Sequence, residues 1–415
     1  MDRQRVVVTG LGAVSCFGSD VDIFYRALLE GRSGAKFIDT FPCEEYPTRF
    51  GAPVQHFDPG SYLDKKQSRR VDPFIAYAVV AAKKALEHAS IDIFQTARLN
   101  LHRCGIIIGS GMGGMAIYSE NVQALVERGH HRVSPFFIPY IITNMAGGLL
   151  GIDLGFMGPN YSISTACASA NHSIIAAASH IQRGEADLML CGGVEASMNP
   201  IGLAGFCAIK ALSKRNDAPE AASRPWDRGR DGFVIGEGCG TLVLESLDHA
   251  LKRGVPILAE YLGGATSCDA YHITEPRSDG EGVALCLRRA LADAAIAPER
   301  VNHISAHATA TLAGDMVEIQ ALKKVFHNPT SIAINAIKSM IGHPLGAAAG
   351  LAAVAIVKAI MEGVIHPTIN LNDPEEELTF FAPKQAHAMQ IDVALSDAFG
   401  FGGHNSALLL APYKP

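Results

Sequence analysis

The sequence predicts an α/β fold made of two similar halves, and three observations point there. Short apolar runs ending in small residues alternate with helix-like stretches, the series restarts near residue 250, and 415 residues suffice for one enlarged double domain. Val6–Thr9, Ile106–Ile108 and Asp187–Leu190 each run into glycine or Cys-Gly-Gly, as buried strands do. Pro73–His88 and Ala168–Arg183 carry helical patterns, the second closed by Gly184. Gly240–Glu245 reads as a strand, Asp248–Arg253 as a helix, and Ile257–Leu262 opens the second series. Residues 303–306, 331–336 and 390–395 then read as strands, and 282–294 and 315–326 as helices. The expected units are therefore 1–250 and 251–415, although no letter-level repeat relates them.

Composition excludes some classes. Lys plus Arg total 35 against 41 Asp plus Glu, so a net charge of −6 gives no reason to expect nucleic acid. The longest uncharged stretch, Val133–Ile152, is interrupted by Pro135, Pro139 and Asn144, and reads as a buried, broken segment rather than a membrane span. Nine cysteines lack CxxC pairing, and Cys16, Cys104, Cys191, Cys239 and Cys286 sit in apolar or glycine-rich contexts, which reads as buried thiols in a reducing compartment. The start MDRQRVVVTG runs directly into a strand-like segment, so the expectation is a cytoplasmic protein or the processed part of an imported one.

Cys167 follows a strand-like run and small residues and stands at the start of an Ala-rich helical pattern. A thiol there gains from the free amides and dipole of the helix start, which favours a nucleophile; read alone, it also fits a buried structural cysteine. His307, in Ser305-Ala-His-Ala-Thr-Ala-Thr311, and His343, in Lys338-Ser-Met-Ile-Gly-His-Pro-Leu-Gly346, both follow strand ends, where ligands gather in α/β folds; each alone could be structural. Phe399-Gly-Phe-Gly-Gly-His-Asn405 could offer an amide to an oxyanion or be a tight turn before a final strand. Gly109-Ser-Gly-Met-Gly-Gly114 formally matches GxGxxG, but no acid is suitably placed downstream; a turn lining a pocket or a subunit contact fits better.

At these residues the chain resembles the β-ketoacyl-acyl-carrier-protein synthases of the thiolase-like superfamily, along essentially its whole length. The likeness runs through Gly158-Pro-Asn-Tyr-Ser-Ile-Ser-Thr-Ala-Cys167, Gly192-Gly-Val-Glu-Ala196, Ser223-Arg-Pro-Trp-Asp-Arg228, Asp231-Gly-Phe-Val-Ile-Gly-Glu237, Lys338–His343 and Gly400-Phe-Gly-Gly-His-Asn405. Ser134–Pro139 and Cys268–His272 look most like plastid and chlamydial-type elongating enzymes. Thiolases usually carry a second cysteine in the C-terminal motif, absent from Gly400–His404.

The resemblance implies a five-layer αβαβα fold, a homodimer, a carrier-protein partner bearing the phosphopantetheine arm, and no organic cofactor or catalytic metal. It implies that Cys167 takes the acyl chain, that its amide and that of Phe401 form the oxyanion hole, and that His307 and His343 decarboxylate a malonyl thioester with Lys338 as electrostatic support. It places Thr309, Thr311 and Gly402 against the substrate arm, Met112 and Phe206 near the acyl chain, and Phe401 at a gate. Lys65, Lys66, Arg69, Arg70, Lys210, Lys214 and Arg215 would greet an acidic carrier; the run at 64–70 otherwise reads as a solvated helix face.

Departures from the family pattern are Ala310 for serine, Ala352 for the glutamate nine residues after His343, and Asp397-Ala398 for Asn-Ser. Loss of that glutamate is expected to leave the positive charge around Lys338 under-compensated, with Asp397 as the replacement carboxylate. The alternatives are a catalytically weak chain-length or binding subunit, a polyketide-type ketosynthase, and a nicotinamide oxidoreductase using the Gly109 turn.

Overall fold

The computed structural model describes residues 3–415. Ten strands form the main ladder: β1 Val6–Val14, β2 Cys104–Gly109, β3 Asn160–Tyr161, β4 Leu188–Glu195, β5 Gly238–Ser246, β6 Ala259–Cys268, β7 His303–Ser305, β8 Ala333–Asn335, β9 Ala394–Gly400 and β10 His404–Ala411. The spatial order is β8-β7-β9-β10-β6-β1-β5-β4-β2-β3. Read outward from the centre, each half repeats one plan. The first strand pairs antiparallel with the fifth, the fifth antiparallel with the fourth, the fourth parallel with the second, and the second parallel with the third. Within the ladder the halves join through three residue pairs, Val6 with Tyr261, Val7 with Glu260 and Val8 with Ala259.

The helices supply the other layers. α1 (Pro73–His88), started by Pro73 and capped by Asp72, covers β1, β4 and β5 from outside. α2 (Ser169–Gln182) touches β2 and β4 of the first half and β6 and β10 of the second. α3 (Pro200–Ala208) lies beside the site described below, and α4 (Glu281–Asp293) covers β6 and β10, with α5 (Leu312–Lys323) packed on it. α6 (Ala348–Glu362) touches β4, β5 and β9. With α2 and α6 in contact with both halves, the layers are helix, sheet, helix, sheet, helix. Two buried faces explain the alanine-rich, non-amphipathic sequence of α6. The segment Leu345–Glu362, apolar and long enough to cross a membrane by composition, is mostly buried in this central layer.

Sequence boundaries shift where packing overrides local signals. β4 continues through Cys191-Gly-Gly to Glu195, because its glycines let the central helices approach: a Cβ on Gly193 would lie 2.2 Å from the Gly346 carbonyl oxygen. The strand expected at 390–395 instead begins at Ala394 and includes Asp397. Val133–Ile152 is broken into short helices, but it is not buried throughout: Phe136, Ile138, Ile142 and Ile152 are exposed. All nine cysteines are free; Cys104, Cys191, Cys239 and Cys286 are buried, whereas Cys16 is only partly so.

Candidate active site

The loops after β3, β7, β8 and β9 converge on one cavity of about 700 Å³. Cys167 is held just before α2, whose first helical residue is Ser169, two positions later than the sequence suggested. Ala166 carries the turn at φ 50°, and Ser169 Oγ accepts the Thr165 amide while donating to the Ala166 carbonyl. Ala308, Ala310, Leu345 and the cavity-lining Lys210 also have positive φ, so several non-glycine residues around the cavity adopt backbone that L side chains rarely take.

His343 Nε2 lies 3.0 Å from Cys167 Sγ. Its backbone is clamped on the 231–237 motif, with its amide donating to the Val234 carbonyl and its carbonyl accepting the Gly236 amide. His307 stands edge-on to it, ring centres 5.4 Å apart, and against Phe399 at 5.3 Å. Burial, with Lys338 nearby, drives both imidazoles well below the ordinary histidine range, so both are neutral at physiological pH. Burial also pushes the Cys167 thiol up to about 12, against the pull of Lys338. Desolvation here outweighs the helix start and favours the neutral thiol beside the imidazole.

Phe399–Gly403 forms the turn joining β9 to β10. A Cβ on Gly400 would come within 2.5 Å of the Thr165 carbonyl oxygen and 3.2 Å of the Cys167 nitrogen, so glycine is what lets this turn lie against the nucleophile's amide. Phe401 is 38% exposed and lines the cavity. Gly402 does not line it. Its amide is spent on the Ile273 carbonyl at 2.7 Å, and Gly403 takes the lining position.

Thr309 and Thr311, their hydroxyls 3.1 Å apart, line the cavity, as do Met112 and Phe206, the latter on α3. Lys338 is 3% exposed behind the histidines and outside the cavity wall. Burial lowers its affinity for a proton, while Glu318 first, then Cys167, Asp397 and Asp315, raise it.

The basic residues divide. Lys66, Arg69 and Arg70 are exposed on and after the short helix Lys65–Ser68; the Lys65 side chain lies outside the described residues. Lys210 is exposed and lines the cavity, and Lys214 is exposed. Arg215 is only half-exposed and donates to the Gly229 carbonyl at 2.9 Å, which holds it down against the protein.

Three acids went unnoticed in the sequence. Glu318 on α5 accepts the amides of His307 and Ala308 at 2.7 and 2.8 Å; Asp315 accepts those of Ala310 and Trp226 at 3.1 and 2.9 Å. Their i, i+3 spacing at the start of the helix after the His307 loop was the available signal, since acids there meet the free amides of the preceding turn. Glu195 takes the amides of Gly111, Met112 and Gly346 and the Ser110 hydroxyl, and burial raises it to about 7. The Gly109 turn therefore spends on a carboxylate the amides that a dinucleotide phosphate would need, which removes the oxidoreductase reading.

Asp397 is 3% exposed, not in solvent, and it accepts the His307 amide at 2.9 Å. The expected shortage of negative charge around Lys338 is not found, because Asp315, Glu318 and Asp397 all face it. Ala352 is buried in the apolar core instead. Ala310 is fully buried and adopts a positive φ in this turn.

Residues 3–250 match the β-ketoacyl synthase N-terminal domain model and 258–372 the C-terminal domain model. The chain belongs to the β-ketoacyl synthase family. Among relatives, "3-oxoacyl-[acyl-carrier-protein] synthase I, chloroplastic" of Arabidopsis thaliana is 56% identical, covering 100% of this chain and 88% of that protein. The "3-oxoacyl-[acyl-carrier-protein] synthase 2" of Coxiella burnetii is 46% identical over 99% of both. Among solved structures, the β-ketoacyl synthase fold recurs in a type II PKS acyl-carrier protein in complex with its ketosynthase bound to the hexaketide (AntDE:AntF). That match has a TM-score of 0.91 and 32% identity, over 99% of this chain and 100% of that one.

Proposed function

We propose that this β-ketoacyl synthase is a 3-oxoacyl-[acyl-carrier-protein] synthase that lengthens acyl chains by two carbons through decarboxylative condensation. The observation that carries the reading is the 3.0 Å contact of His343 Nε2 with Cys167 Sγ, with the second neutral histidine beside it. The thiol passes its proton to His343 Nε2 as sulfur attacks the acyl thioester, the amides of Cys167 and Phe401 take the oxyanion, and His343 returns that proton to the departing carrier thiol. Once the acyl chain is on Cys167, a malonyl thioester replaces the departed carrier. Neutral imidazoles in the Nε2–H tautomer, which His343 adopts once the thiol is acylated, donate from His307 and His343 to its carbonyl oxygen, stabilising the enolate as carbon dioxide leaves. The carbanion then attacks the acyl-cysteine and expels the Cys167 thiolate, which takes up a proton from solvent as the 3-oxoacyl thioester departs. No step calls on an organic cofactor or metal.

The carrier is the acidic partner that the basic surface suits, as in the complex named for the AntDE:AntF neighbour. A homodimer is supported by β3, an exposed edge strand, and by exposed Tyr118, Val122, Phe136, Ile138 and Ile152 in the neighbouring segments. The Arabidopsis relative is chloroplastic by name and the Coxiella one bacterial, which supports a plastid stroma or a bacterial cytoplasm. Retention of Cys167, His307 and His343 in contact argues against a binding subunit.

The test is incubation with hexanoyl and malonyl carrier proteins, with mass spectrometry of carbon dioxide, 3-oxoacyl product and protein. An acyl adduct on Cys167 followed by product is expected; neither product nor adduct at any acyl length would overturn the proposal. Reversal of Lys66 and Arg69 to glutamate is expected to raise the KM for carrier protein about tenfold at low salt and less at high salt, because charge steering governs encounter. An unchanged KM at both ionic strengths would remove this face from the docking surface.

A further inference from the structure

We infer that Glu318 and Asp397 form a carboxyl pair that shares one proton behind the His307 loop and so positions that histidine. The inference rests on the reading of the site as a condensing centre, since only there does the placement of His307 matter. Both carboxyls accept the same His307 amide, Glu318 Oε1 at 2.7 Å and Asp397 Oδ1 at 2.9 Å, which brings the two oxygens together. Both residues are buried, at 1% and 3% exposure. The second oxygen of Asp397 is buried with no donor among the described residues, whereas that of Glu318 takes the Ala308 amide.

One N–H cannot hold apart two full negative charges in a buried site, and a proton between them is the inexpensive resolution. The charges around the pair lead to the same count. Lys338 is the cation that faces both carboxyls; Asp315 also faces Glu318, but Arg230 lies 3.7 Å from it. The Cys286 thiol near Asp397 is neutral, held up to about 12 by burial. Two carboxyls against one lysine leave one negative charge too many, and a shared proton removes it. Burial raises both carboxyls, which agrees with the geometry. In this chain the proton stands where an asparagine amide would otherwise donate, and unlike an amide it can leave.

The test reads the proton directly, independently of turnover. Infrared difference spectra of wild type against Asp397→Asn and against Glu318→Gln should each show loss of one protonated-carboxyl stretch, since removing either partner leaves the other ionised opposite Lys338. The same band should disappear from wild type on alkaline titration. Persistence of the band in either folded variant, or no such band in wild type, would overturn the proposal. Glu318→Gln disturbs two backbone bonds; should it not fold, Asp397→Asn still decides, because it must lose the band. In the condensation assay, the alkaline limb of kcat/KM should move to higher pH in Asp397→Asn, whose amide does not titrate; a limb left in place would count equally against the pair. An inactive wild type that shows the band would sink the proposed reaction and leave the proton pair standing.

Discussion

Replacing Cys167 by alanine is expected to lower condensation by at least about 10⁴-fold, because the residues that act with a nucleophile cannot substitute for it. The protein should still fold. The side chain is small, it sits at the edge of a cavity, and its polar contact is to His343. The informative result is the pair of measurements: melting temperature within a few degrees of wild type, acyl adduct absent, and 3-oxoacyl product at background. Product persisting in this variant would require a different nucleophile, and none of the other eight cysteines lines the cavity.

The second large effect is structural. A Cβ on Gly240 would stand 2.2 Å from both the Gly350 carbonyl carbon and the Leu351 nitrogen, which are backbone atoms of a central helix that cannot turn aside. Relief would require α6 to move away from β5, opening the layer between the sheets. Gly240→Ala is therefore expected to cost more than the ~1–3 kcal/mol typical of overpacked cores, because the clash is with backbone that cannot turn aside, and to appear as insoluble or unfolded protein. Gly205→Ala is the control, since nothing lies within 4 Å of a Cβ there. Equal melting temperatures for the two variants would show that the central layer yields more readily than its packing implies.

Much of this was legible in the sequence because it is local. Strands that end in small residues, a cysteine before an alanine-rich helix and histidines after strand ends all express backbone geometry that neighbouring residues determine. The failures share a cause as well. β4 runs through its glycines because helices from both halves press on it, and Cys16 is only half-buried despite apolar neighbours. Glu195, Glu318 and Asp315 look like ordinary surface acids until the fold brings amides from distant loops to them. The roles of Lys338 and Asp397 came from the resemblance; that they face a surplus of acid rather than a shortage could be seen only in three dimensions.

The matched strand plans carry one more consequence. The turn leaving the third strand of the first half presents the sulfur, and the corresponding turn of the second half, after β8, presents Lys338 and His343. One architectural position thus holds an electrophile's carrier in one copy and the proton-handling groups in the other, and neither copy is chemically competent alone. A chain severed in the 254–258 connection would yield two inert fragments whose recovered turnover on mixing would measure how well the halves find each other, making the reaction itself a gauge of their docking.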